Sequence, residues 1–109
     1  MNSALPRQPP VDHAPQERVR LSVTGDEFAT ICELLSSTTA RQIVAALKQG
    51  PKPASEIATA VGTSLQNTSY HLDRLVEGDL VEPTETWYSE KGREMTVYAL
   101  RTHELVIRF

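Results

Sequence analysis

Between Ser64 and Arg74 the chain reads Ser-Leu-Gln-Asn-Thr-Ser-Tyr-His-Leu-Asp-Arg, two amides, a phenol, an imidazole and a guanidinium in one short stretch. Set on a helix at about 100° per residue, Leu65, Thr68, Leu72, Leu75 and Val76 share one side, which is expected to be core. The opposite side centres on Tyr70 and Arg74, flanked by Gln66 and Asn67, with His71 at one margin and Ser69 near the other. Amide side chains read adenine through paired hydrogen bonds, and arginine binds guanine or phosphate, so this face suits a DNA major groove. Gln66 and Asn67 lie in the first turn, the end that a recognition helix usually inserts. Asp73 and Glu77 come later, where phosphate would repel them, so that end must tilt away. The plainer alternative makes Gln66, Asn67 and Tyr70 an ordinary solvated face.

Other chemistry finds less support. Ser69 and His71 sit two residues apart, which points them about 160° apart on a helix and leaves no oriented nucleophile and base; the residues suggest no enzyme. His13, His71 and His103 show no helical ligand spacing, so no metal site and no cofactor are expected. His71 is left as a groove-margin or phosphate contact or as a hydrogen-bonded packing residue. The lone Cys32 falls on an apolar helical stripe. It reads as a small buried hydrophobe or, if two copies meet there, as a redox switch.

The elements that must hold this face can be read from punctuation and period. Residues 1–17 contain four of the seven prolines and almost no aliphatic side chains, and read as a disordered tail. Residues 18–109 then form one domain. Arg18 to Val23 alternates as a short strand. Phe28, Ile31, Cys32, Leu34 and Leu35 give a first helix, and Ile43, Val44 and Leu47 a second from about Thr39 to Gln49, capped within Ser36-Ser37-Thr38-Thr39. A third opens at Ala54 or Ser55, turns Ile57, Ala58 and Val61 inward and ends on a left-handed Gly62. Only Thr63 and Ser64 separate it from a fourth helix, Leu65 to Glu77, which stops at Gly78; the tight junction makes a helix-turn-helix. The runs Leu80–Tyr88 and Met95–Arg101, joined by the polar loop Ser89 to Glu94, form a hairpin wing, with Pro83 demanding an open edge or a bulge. Glu104–Phe109 reads as a further strand at a sheet edge, beside Arg18–Val23. The expected class is α+β, a winged helix-turn-helix of four helices with a C-terminal β-hairpin wing and extra edge strands.

Composition limits the partners. Acidic residues outnumber basic ones by 14 to 11, for a net charge of -3, the wrong sign for indiscriminate nucleic-acid binding. Phosphate contact depends on local charge, however, and Lys91 and Arg93 concentrate cations in the wing loop. Arg93 is placed on phosphate, with an ion pair to Glu90 or Glu94 as the structural alternative. No apolar run approaches the roughly 20 residues that span a bilayer. With no leader segment evident, a cytoplasmic protein is expected. A core of this size is marginal alone, which favours a homodimer through Phe28, Ile31, Cys32 and Leu35 of the first helix and Val106 of the last strand.

The segment SEIATAVGTSLQNTSYHLDRLVEGDLVE resembles the recognition region of ArsR-type winged helix regulators, archaeal ones in particular. In the pattern S-x-x-x-x-S-x-H-L-x-x-L-x-x-x-x-L-V, Ser64, Ser69, His71, Leu72, Leu75, Leu80 and Val81 occupy the defined positions. The wing YSEKGREMTVYAL is similar to the same proteins, and the likeness runs over about residues 26–101. It implies a dimeric repressor or activator of transcription whose fourth helix enters the major groove of double-stranded DNA while the wing follows backbone or minor groove. On that reading Ser64, Gln66, Asn67, Ser69, Tyr70, His71, Arg74, Lys91 and Arg93 are the DNA contacts. The metal-sensing branch carries paired cysteines in the first helix of the motif; residues 54–61 have none, so that property does not carry over. The runner-up is a winged helix that joins proteins in a larger assembly, with Tyr70 and Trp87 as anchors.

Overall fold

The computed structural model describes residues 18–109; the tail expected over residues 1–17, with His13, lies outside them. The described chain runs β1 (Val19–Ser22), α1 (Asp26–Leu35), α2 (Thr38–Lys48), β2 (Lys52–Pro53), α3 (Ala54–Val61), α4 (Leu65–Glu77), β3 (Val81–Tyr88), β4 (Glu94–Leu100) and β5 (Leu105–Arg108). This is the α+β winged helix-turn-helix expected, with its helix boundaries within a residue or two of those expected from sequence.

Local chemistry sets the helix starts. Ser37 accepts a hydrogen bond from the Ala40 N–H at 3.2 Å, and Ser64 accepts one from the Asn67 N–H at 3.0 Å, so α2 and α4 each begin on a satisfied donor. Gly62 ends α3 in the left-handed region, at a φ of 81° that a side chain would oppose. Gly78 ends α4 differently. Its own φ is -84°, and the left-handed residue is Asp79, at 61°. What Gly78 provides is room, since a Cβ there would run into Cδ1 of Leu34 on α1.

The core is built where the helical stripes converge. Ile43 of α2, Ile57 of α3, Leu72 and Leu75 of α4 and Val81 of β3 are buried essentially completely. Ile31 and Leu34 close it from α1, and Phe28 and Leu35 pack on its margin. Thr68 is wholly buried as well, which its hydroxyl tolerates by donating to the Ser64 carbonyl at 2.9 Å. Two burial expectations are corrected. Cys32 is exposed, because it follows Ile31 by one residue and is swung about 100° off the stripe's centre. Leu65 is 54% exposed, because it opens α4 before that helix meets the core.

Two small sheets complete the fold. β3 and β4 pair antiparallel as the wing, with a register break between Pro83 and Glu85, one of the two outcomes expected at Pro83. The two-residue β2, not expected from sequence, adds to the other side of β4, with Lys52 opposite Tyr98 and Pro53 opposite Val97. Separately, β1 and β5 pair in parallel, with Val19 opposite Leu105 and Ser22 opposite Arg108. None of the helices among the described residues is long and apolar enough to cross a membrane.

Gly78→Ala should force Leu34 or the end of α4 to shift, at a cost of about 1 to 3 kcal/mol typical of overfilled cores. Thermal unfolding checks this; an unchanged midpoint would mean that Leu34 yields without loss.

Candidate nucleic-acid interface

The exposed face of α4 is set by its turn with α3. Gly62 and Thr63 both donate backbone N–H bonds to the Ala58 carbonyl, at 2.8 and 3.1 Å, folding the chain back before Ser64 starts α4. Leu72 and Leu75 then face the core, which turns Gln66 and Tyr70 outward; Tyr70 is 56% exposed. Arg74 lies one turn beyond Tyr70, donates to its hydroxyl at 3.3 Å and sits 5.8 Å from its ring centroid. The cation is thereby braced beside an aromatic ring rather than free to sweep. The His71 ring stands edge-on to Tyr70 at 5.1 Å, and His71 is half-buried in a crevice with Leu34, Ala40, Arg74 and Leu75.

Asn67 is less available than its position suggests. Its side-chain amide donates to Thr63 Oγ1 at 3.0 Å, which ties the first turn of α4 back to the α3–α4 junction. Ser64 is similarly engaged through its cap. Gln66, exposed and between them in sequence, has the more accessible amide.

The wing comes to the same side. Its loop is closed by Ser89, whose N–H donates to the Arg93 carbonyl at 2.9 Å and whose hydroxyl accepts the Arg93 N–H at 3.1 Å, with Gly92 in the left-handed region at a φ of 75°. Lys91 and Arg93 are exposed. A hollow of about 480 Å³ separates wing from helix; Arg93, Thr96 and Tyr98 of the wing line one wall, and Ser55, Leu65 and Ser69 line the other. Leu65, expected inside, instead lines this hollow. The DNA-contact residues expected from sequence are thus divided: Gln66, Ser69, Tyr70, Arg74, Lys91 and Arg93 reach the surface of α4 and wing, whereas Ser64, Asn67 and His71 are occupied in building it.

Trp87 stands apart from the anchor role considered for it. It is 9% exposed, and its indole N–H donates to Glu85 at 3.0 Å, so it belongs to the wing's own packing. The expected dimer contacts are also divided, since Ile31 is buried in the chain's own core while Phe28, Leu35 and Val106 are half-buried and Cys32 is exposed.

A sequence family described as a helix-turn-helix domain matches residues 35–84. No curated protein sequence is significantly similar to the chain. Among solved structures, similarity extends to the homodimeric winged helix-turn-helix DNA-binding domain of a Mycobacterium bovis protein, a possible ArsR-family transcriptional regulator. Identity there is 29% and the TM-score 0.59, over 70% of this chain and 65% of that one, so less than two thirds of the mycobacterial chain is spanned. The transcriptional repressor BigR of Xylella fastidiosa is 25% identical, with a TM-score of 0.55 over 69% of this chain and 70% of its own. Reduced HlyU of Vibrio cholerae, at 18% identity and a TM-score of 0.57 over 68% of this chain and 72% of its own, shares the fold.

Burial lifts the Tyr98 phenol above the ordinary tyrosine value of 10.0, and the nearby Asp73 carboxylate adds to the lift. The folded protein therefore holds that proton longer than the unfolded chain does. The associated stability is complete below the ordinary value and is lost as pH climbs through the folded one. Above about pH 10, stability should fall more steeply for the parent than for Tyr98→Phe. Parallel curves of denaturant midpoint against pH would rule the effect out.

Proposed function

We propose that the chain is a winged helix-turn-helix protein of the ArsR type, a sequence-specific regulator of transcription that binds double-stranded DNA as a homodimer. The observation that carries this reading is the shared outlook of α4 and the wing. On α4, Leu65 and Ser69 face Arg93 of the wing loop across an open hollow, and the exposed Gln66 and Tyr70 stand beside them on the same helix. A helix fills a major groove, and a cation at the neighbouring loop meets the flanking phosphates. Asp73 and Glu77 lie towards the far end of α4, so the groove contacts are placed on Gln66 and Tyr70 in its first two turns. It acts in the cytoplasm by binding, with no bond made or broken.

The dimer is supported by the homodimeric state of the mycobacterial neighbour and by a modest core. Twofold symmetry presents two copies of α4, so the preferred site is an inverted repeat with half-sites about one helical turn apart. Footprinting should show paired protection that is lost when either half-site is scrambled; undiminished protection of one isolated half-site would defeat the symmetric reading.

Side-chain roles separate by sequence and salt dependence. Gln66→Ala should cost about 1 to 3 kcal/mol at the cognate site and little on random DNA. Asn67→Ala should lower the melting temperature as well, because it cuts the tie to Thr63. Arg93→Ala should weaken both DNAs alike and reduce the slope of log affinity against log salt by about one. Titrations of the three variants on both DNAs at several salt concentrations test the assignment; a Gln66→Ala loss equal on both DNAs would remove it from base reading.

A further inference from the structure

Resting on the homodimer proposed above, we infer that two copies of the chain join edge to edge through β5, running antiparallel about Val106. β5 forms a two-stranded sheet with β1, and no strand among the described residues pairs with its far edge. The Val19 N–H donates to the Glu104 carbonyl and the Val23 N–H to the Arg108 carbonyl, each at 2.9 Å. Alternate residues of a parallel strand face each neighbour, so the backbone groups of Glu104, Val106 and Arg108 serve β1. Those of Leu105 and Ile107 point to the open edge, a row of donors and acceptors suited to another strand.

A twofold axis that sets two identical strands side by side makes them antiparallel. The groups of Leu105 and Ile107 must then meet their like, which allows registers centred on Leu105, Val106 or Ile107. Centred on Leu105, Glu104 would face the partner's Val106; centred on Ile107, Arg108 would. Centred on Val106, Leu105 pairs with the partner's Ile107 and Glu104 comes opposite the partner's Arg108. The sequence Glu-Leu-Val-Ile-Arg is its own complement in that register, apolar against apolar and acid against base. Glu104 already binds Arg18 at 2.9 Å, and a carboxylate has acceptor sites for a second guanidinium.

The surface beside this edge is prepared for the same occupant. Leu105 and Ile107 share a face with Val19 and Leu21, the side turned to the core. Ile107 is nevertheless 45% exposed and Phe109 fully so. On the core side of Leu105 lies an apolar hollow of about 250 Å³, walled also by Leu35, Val44, Leu80 and Leu100. In the Val106 register the partner's Ile107 falls beside Leu105 at this wall, and the partner's Phe109 comes opposite His103, another residue of the hollow. Backbone groups, charges and cavity all call for a second copy of the strand.

Charge exchange tests the register. Glu104→Arg and Arg108→Glu each oppose like charges at both ends of the joined strands, and each should weaken self-association in sedimentation roughly tenfold. An equimolar mixture of the two restores both ion pairs, so heterodimers should form with near-parental affinity. Mixing could not rescue variants that had failed to fold. Ile107→Lys should abolish dimers alone and in either mixture. Parental dimerisation by both charge variants, or weakened variants that mixing fails to rescue, would overturn the edge assignment while leaving the homodimer standing on another face. A parent chain monomeric at every concentration, yet bound to one half-site, would instead remove the homodimer itself.

Discussion

The outward face of α4 is oriented by the junction at Gly62, Thr63 and Ser64. In these three residues the chain takes up a left-handed conformation, returns two N–H bonds to Ala58 and begins a new helix on a serine cap. The Ser64 carbonyl then receives both the Thr68 N–H, at 3.0 Å, and the Thr68 hydroxyl. Thr68 is the buried polar residue at the heart of α4, and a hydroxyl without a partner there would cost about 1 to 3 kcal/mol. The junction therefore fixes the rotation of α4 about its axis, and with it which side chains look outward. Asn67 extends the same logic: its amide strengthens the turn at the expense of its freedom to read a base.

The wing is aligned to that helix by a second, non-local tie. β2 ends at Pro53, which is buried and also precedes the first residue of α3, so one residue belongs to the wing's sheet and to the start of the helix-turn-helix. A proline is tolerated at the outer edge of β4 because its missing N–H is not needed in a strand this short. The hollow between Leu65, Ser69, Arg93 and Tyr98 thus has walls that are both anchored to one core. Binding across it would order few additional backbone dihedrals, which keeps the entropic cost of association low.

How much of this was legible in the sequence follows the range of the interaction concerned. The four helices could be placed because their signals are local: a serine and threonine cluster before α2, Gly62 as a stop, and apolar residues at spacings of three and four. The bulge at Pro83 was equally local. β2 was hidden because two residues, one of them a proline, carry no period, and its existence depends on β4 passing more than 40 residues later. Burial was legible for stripe centres and misleading at their ends. Leu65 has the right phase but nothing packs over the first turn of α4, and Cys32 has neighbours of the right kind but the wrong phase. Asn67, His71 and Ser64 were recognised as polar residues on the reading helix. Their engagement by Thr63, by the Leu34–Ala40 crevice and by the cap could not be seen without the fold.

The two sheets divide the molecule into an end that reads and an end that can pair. The β2–β4–β3 sheet carries the wing, whereas β1–β5 packs beyond α1 with an edge unpaired among the described residues. Open edges are normally blunted by inward charges, prolines or very short strands. β5 is short, but its edge residues Leu105 and Ile107 are apolar, and the charges that bracket them, Glu104 and Arg108, are of opposite sign. Such a pattern repels neither itself nor water strongly enough to protect the edge, yet its order along the strand favours one antiparallel register over its neighbours. Specificity in edge pairing comes from registers that are made worse as much as from the one made better. Here the competing registers oppose a charge to a valine, so the same few residues supply both the attraction and the discrimination.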